Sequence, residues 1–95
     1  MPAYMIARVN VTDPAAYEEY KKLSPGAIAA YGGKFIARGG NLETMEGENE
    51  TRRVVIVEFP DLDSARRCYN SPEYSAAKAK RANAADAQFI IVDGV

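Results

Sequence analysis

The chain has 95 residues and a mass of 10.4 kDa, which is one domain of modest size with a small core. With 47% apolar and 26% charged residues it is globular rather than disordered, and a net charge of −1 lacks the basic excess of a general nucleic-acid binder. The absence of histidine excludes His-based triads, haem ligation by His and His-containing metal sites within one chain, and the lone Cys68 excludes an internal disulfide or a multi-cysteine zinc site.

No apolar run reaches the length of a membrane span, and the start of the chain lacks a charged-then-apolar signal, so a cytoplasmic protein without a membrane partner is expected. Residues 4–12 are a β-rich run without Gly or Pro and predict the first strand. Asp13-Pro14 is a helix start, with a carboxylate to cap and a proline where no N–H is needed. A helix is predicted from Ala15 to Tyr31, interrupted or kinked near Leu23 and Ser24 by Pro25, and ended by Gly32-Gly33. Lys34 to Arg38 predicts a short second strand closed by Gly39-Gly40, and a glutamate-rich loop follows over 41–51. Arg52 to Phe59 predicts the third strand, stopped by Pro60. Asp61 caps a helix through Leu62, Ala65, Cys68 and Tyr69, and Ser71-Pro72 restarts another that runs to about Ala84. Gln88 to Asp93 predicts the last strand. The order β-α-β-β-α-β fits a ferredoxin-like α+β fold, a four-stranded antiparallel sheet with helices on one face, in a single domain over 1–95.

Period two exposes a problem in that sheet. Tyr4 and Ile6 point to one side and Met5, Ala7, Val9 and Val11 to the other; Val54 and Ile56 oppose Val55, Val57 and Phe59; Phe89 and Ile91 oppose Ile90 and Val92. Both faces are apolar, whereas an antiparallel sheet with one wet face alternates apolar with polar. The helices can cover only one face. A second copy of the same sheet is the simplest cover for the other, and this predicts a homodimer by sheet-on-sheet packing, burying about 1,200–2,000 Å².

Several segments carry a resemblance. Residues 4–17, Tyr31-Gly32-Gly33-Lys34-Phe35, Arg38-Gly39-Gly40, Val57-Glu58-Phe59-Pro60 and Tyr69-Asn70-Ser71-Pro72-Glu73-Tyr74 together resemble the domain-of-unknown-function 1330 family across nearly the whole chain. The resemblance implies a dimeric α+β barrel and no particular reaction. Related barrels include small monooxygenases of polyketide-like substrates, haem-degrading enzymes, muconolactone isomerases and the chlorite dismutase group. The haem-degrading kind uses an Asn, a Trp and a His. Asn10 is placed on the Asn, but the chain has neither Trp nor His. Haem chemistry of that type is therefore not expected, and no cofactor is assigned.

Polar residues inside apolar runs are the remaining clues. Arg8 interrupts the first strand and needs a partner if buried. Glu58, in a third strand expected to run parallel to and beside the first, is the proposed partner. Arg38 is a second candidate cation. Either guanidinium suits a carboxylate or enolate, and a structural ion pair is the competing reading. Tyr17, Tyr20 and Tyr31 fall on the core side of the first helix, and Tyr69 and Tyr74 flank the Ser71-Pro72 break. The candidate ligand-binding residues are Arg8, Asn10, Tyr31, Arg38, Tyr69 and Tyr74, and the catalytic candidates are Arg8, Glu58 and Tyr31. Ser71 reads as a helix cap and Cys68 as a small buried hydrophobe. Arg66, Arg67, Lys78, Lys80 and Arg81 read as a solvated basic face. The glutamate loop lacks metal-ligand spacing, so no metal site is assigned.

These readings lead to a dimer that binds a small anionic or aromatic molecule in a helix–sheet cavity, as a cofactor-independent oxygenase or isomerase. The alternative is a non-catalytic dimeric binding or scaffold module. RNA binding is disfavoured, because the third strand offers Val54 to Val57 where RNA-recognition modules expose aromatics.

Overall fold

A computed structural model describes residues 1–95. In the first strand, β1 (Ala3–Val11), the side chains of Ala3, Met5, Ala7 and Val9 are buried while Tyr4, Ile6 and Arg8 are half-buried. This is the expected alternation of a strand covered by helices on one side. The helix α1 (Pro14–Ala30) starts at Asp13, whose carboxylate accepts from the Ala16 N–H at 3.2 Å. It stops at Tyr31 and Gly32, and Gly32 holds φ at +79°, which side-chain-bearing residues rarely adopt. The interruption expected at Pro25 does not occur. Tyr17, Tyr20 and Ser24 before the proline and Ala27 and Ile28 after it are all buried on one side of a continuous helix. That shared burial outweighs the hydrogen bond the ring denies to the Lys21 carbonyl.

The remaining elements are β2 (Lys34–Arg38), β3 (Arg53–Phe59), α2 (Leu62–Tyr69), α3 (Pro72–Arg81) and β4 (Ala85–Asp93). The two last helices are separate because Ser71 serves both. Its hydroxyl donates to the Cys68 carbonyl at 2.7 Å, ending α2, and accepts from the Tyr74 N–H at 3.0 Å, capping α3. The last strand begins three residues before Gln88. Ala85 and Ala87 have low strand propensity, but their backbones pair with Val11 and Val9.

The sheet order is β2-β3-β1-β4, and every neighbouring pair is antiparallel. This is the ferredoxin-like arrangement, with three helices on one face. It corrects the expected relation between the first and third strands. Because β1 and β3 run in opposite directions, Arg8 lies beside Val54 and Gln88, and Glu58 lies beside Tyr4 at the far end. The proposed Arg8–Glu58 pair therefore does not form. Arg8 bonds Gln88 at 3.0 Å and approaches Glu50 at 3.4 Å, while Glu58 is met by Lys34 at 3.4 Å and the Tyr4 hydroxyl.

The core lies between sheet and helices in two neighbouring clusters, one around Tyr20, Tyr74 and Val9, the other around Met5, Phe59 and Cys68. The molecule is a slab of 33 × 31 × 16 Å, one sheet thick and one helix layer thick. Its other face carries Ile6, Val54, Ile56, Ile90 and Val92 with no element of the chain over it. Ile90 and Val92 remain 43% and 48% exposed. Exposed apolar faces of this kind commonly mark interaction surfaces in folded proteins. No helix is long and apolar enough to cross a membrane.

Candidate functional site

Between the sheet and α1 lies a small, partly open cavity of about 30 Å³. Its apolar wall is made by the helix-facing side chains of the strands, among them Met5, Val9, Val55, Val57 and Phe89. These are the odd-numbered residues of β1, β3 and β4, so period two supplies the wall directly. Phenols close the helix side. Tyr17 and Tyr20 come from α1, one turn apart, with ring centroids 5.2 Å from each other. Tyr74 arrives from the first turn of α3, and its hydroxyl lies 2.6 Å from that of Tyr20 in a buried hydrogen bond. Burial, and then the neighbouring Tyr20, push the Tyr17 phenol above its ordinary value; the same two causes push Tyr74 far above it. Both are neutral donors near pH 7.

Three cations stand among the lining residues: Lys21, Arg38 and Arg53. Lys21 is paired with Glu18 at 2.8 Å. Neither arginine has a carboxylate within ion-pair distance. Arg38 lies over the Phe35 ring at 4.3 Å, and the Nε of Arg53 is buried without any acceptor. No Asp or Glu lines the cavity. A buried guanidinium hydrogen without an acceptor is costly.

Local geometry explains how two arginines reach one mouth. Arg53 shares the parity of Val55, Val57 and Phe59 and pairs with Val9, so it faces the helices. Its guanidinium lies against Gly39, where φ is +71° and any Cβ would collide with it. Arg38 has the opposite parity to Phe35, yet both line the cavity. An irregularity in β2 pairing between Phe35 and Ala37 turns the strand and sets Arg38 opposite Val55.

Of the residues singled out from sequence, Arg38 and Tyr74 line this cavity. Tyr69 packs just outside it, 5.4 Å from the Tyr74 ring and beneath the Lys78 ammonium at 4.6 Å. Hydrogen bonding to Lys78 lowers the Tyr69 phenol despite its partial burial. The others are placed elsewhere. Arg8 and Asn10 have the parity of Ile6 and stand on the face away from the helices, and so does Glu58. Tyr31 caps α1 and donates to Glu73 at 3.2 Å. Arg8 instead joins Arg52 in holding Glu50, which accepts from Arg52 Nε at 2.9 Å and Nη2 at 3.0 Å. The side-chain bond from Arg52, and then the backbone one, hold the Glu50 carboxyl down to about 2. The basic face read over α2 and α3 also needs correction at Arg81. It is only 8% exposed, its guanidinium lying 5.3 Å from the Tyr20 ring centre and 4.6 Å from that of Phe89. Cys68 is fully buried, and burial raises its thiol to about 11.

Sequence reasoning omitted Arg53, Tyr17 and Tyr20 from the site. The two tyrosines were already on the core side of the first helix. For Arg53, which lies inside the predicted third strand, the signal is its parity with Val55, Val57 and Phe59.

The family model described as Domain of unknown function (DUF1330) matches residues 2–95. The chain belongs to this family. No curated protein matches it. Among solved structures, the DUF1330 chain is similar to RPA0582, a protein of unknown function from Rhodopseudomonas palustris, with 23% identity and a TM-score of 0.76 over 99% of this chain and 82% of that one. It is similar to a dimeric ferredoxin-like protein of unknown function from Jannaschia sp. CCS1, with 10% identity and a TM-score of 0.76 over 99% and 100% of the two chains. It is also similar to SnoaB, a cofactor-independent oxygenase from Streptomyces nogalater, with 17% identity and a TM-score of 0.70 over 99% and 93%. At these identities the likeness establishes the ferredoxin-like fold of this DUF1330 protein and leaves its chemistry to be argued from its own residues.

Proposed function

We propose that this protein binds a small organic anion with an aromatic or enolic body in the cavity between α1 and the sheet. The observation that carries this reading is the pair of arginines, Arg38 and Arg53, at an apolar cavity that no carboxylate lines. The guanidinia would hold the charged end, the strand residues the body, and the Tyr20–Tyr74 pair would donate a hydrogen bond to an oxygen of the ligand. The lining residues include no imidazole and no carboxylate, so the site suits a substrate that ionises readily by itself. An enolate stabilised by two guanidinia can isomerise, or can react with dioxygen using its own electrons. A cofactor-independent isomerase or oxygenase is the activity this supports, and the similarity in fold to SnoaB is in keeping with it. The same lack of a base favours a second reading, a binding module that performs no reaction.

The test is calorimetric titration with benzoate, salicylate and small 1,3-dicarbonyl compounds, followed by oxygen-electrode and NMR assays of any ligand found. Binding to the wild type, and its loss by about ten-fold or more in Arg53→Met with the fold intact, is the expected result. A folded wild type that binds none of these anions overturns the proposal. Turnover of a bound ligand separates the enzyme from the binding module.

We also infer that the working form is a homodimer joined through the uncovered sheet face. Neighbouring structures of this fold are described as dimeric. The cross-strand row Ile56, Ile6, Ile90 is apolar, with Arg8 and Gln88 two residues along the strands on one side and Glu58 and Lys34 on the other. A hydrophobic centre with a polar rim is the composition of a stable interface.

A further inference from the structure

A second cleft opens between α2 and β4. It has a volume of about 220 Å³, and its lining includes Arg66, Tyr69, Asn70 and Ile91. Two residues, Met5 and Phe89, line both this cleft and the arginine-bearing cavity. Phe89 also packs against both core clusters, so it stands at their junction. Its ring is held from three directions. Tyr69, on the cleft side, lies 5.8 Å away between centroids; Tyr74, on the cavity side, lies 6.4 Å away; the buried Arg81 guanidinium is 4.6 Å from the ring centre. Arg81 has no carboxylate partner and its Nε lacks an acceptor, so its interactions here are with these rings and the phenols beside them.

We propose that Phe89 is a specificity-determining residue, a wall that limits the length of the ligand and divides one longer groove into two. This rests on the anion-binding reading of the cavity given above. The enclosed space beside Arg53 is only about 30 Å³, so with Phe89 in place a ligand would have to be compact, with its body partly at the open side. Without it, the ligand body would extend past Met5 toward Tyr69 and Ile91. Size selection by an apolar wall is a difference in affinity between ligands, so it shows as a ratio rather than as loss of binding.

The experiment compares benzoate with biphenyl-4-carboxylate by calorimetry on the wild type, Phe89→Ala, Phe89→Val and Arg53→Met. The wild type is expected to prefer benzoate by about ten-fold or more, and Phe89→Ala to lose that preference by gaining affinity for the biphenyl acid. Phe89→Val should move in the same direction and serves if the Ala variant fails to fold, which a thermal melt reports. An unchanged ratio in a folded Phe89 variant, with benzoate still lost in Arg53→Met, overturns the wall and leaves the anion site standing. If no anion binds the wild type, the anion site falls instead. The wall is then decided by a crystal structure of the Phe89 variant, where one continuous cavity supports it and two separate ones refute it.

Discussion

Tyr20 and Tyr74 show why a buried polar atom is best judged with its partner. Each hydroxyl satisfies the other at 2.6 Å, and Tyr74 is 1% exposed. Tyr74→Phe or Tyr20→Phe alone strands a hydroxyl and should cost about 1–2 kcal/mol in urea unfolding, whereas the double variant should cost less than the two single losses added. Glu50 belongs to the same scale with the opposite charge logic. Its carboxyl titrates near 2 when folded, against an ordinary value of 4.5, so the Arg52–Glu50–Arg8 contact favours folding fully above about pH 4.5 and loses that effect as pH falls toward 2. The difference in melting temperature between wild type and Glu50→Gln should therefore be present at pH 6 and vanish near pH 2. A difference that persists there would assign Glu50 a role other than its charge.

At the scale of elements, α1 is the most instructive. Pro25 removes one backbone hydrogen bond from a helix whose buried side is continuous across it. Pro25→Ala restores a donor to the Lys21 carbonyl and should stabilise the protein by about 1–2 kcal/mol, less than the full interior-proline cost because a more flexible unfolded chain offsets part of it. Chemical denaturation measures this, and a destabilised variant would mean that the proline's shape is needed at the cavity, beside Lys21 and Ser24. The edge strand β2 is a parallel case. Its propensity and its closing glycines were readable, but the pairing shift after Phe35 was not, and that shift is what turns Arg38 to the cavity. Strand alternation is a local rule, and a bulge breaks it for reasons set by the partner strand.

The whole molecule is a sheet with helices on one side and an apolar surface on the other. Its accessible area of 5920 Å² is above the roughly 5,400 Å² that size scaling gives for a compact monomer of this mass, and the uncovered sheet face and the exposed loop over 41–51 both add to it. Sedimentation at micromolar concentration should give twice the 10.4 kDa of the chain. Ile6→Glu, at the centre of that face, should give a species of one chain, because an unpaired carboxylate buried between two sheets is strongly unfavourable. A dimer that survives Ile6→Glu unchanged would place the contact elsewhere. Such a dimer leaves the cavity mouth free, since Arg38 and Arg53 have the helix-facing register.

What the sequence determined by itself was local and periodic. Caps at Asp13, Asp61 and Ser71, the stop at Gly32, the element order and the apolar nature of both strand faces all follow from residue type and spacing, because neighbouring backbone groups and side-chain alternation create them. Tertiary structure decided which residues meet. Antiparallel pairing of β1 with β3 separated Arg8 from Glu58, the β2 irregularity joined Arg38 to Arg53, and the approach of α3 brought Tyr74 to Tyr20 and drew Arg81 inside. Contacts between residues on different elements depend on how whole elements pack, and no short stretch of chain carries that information.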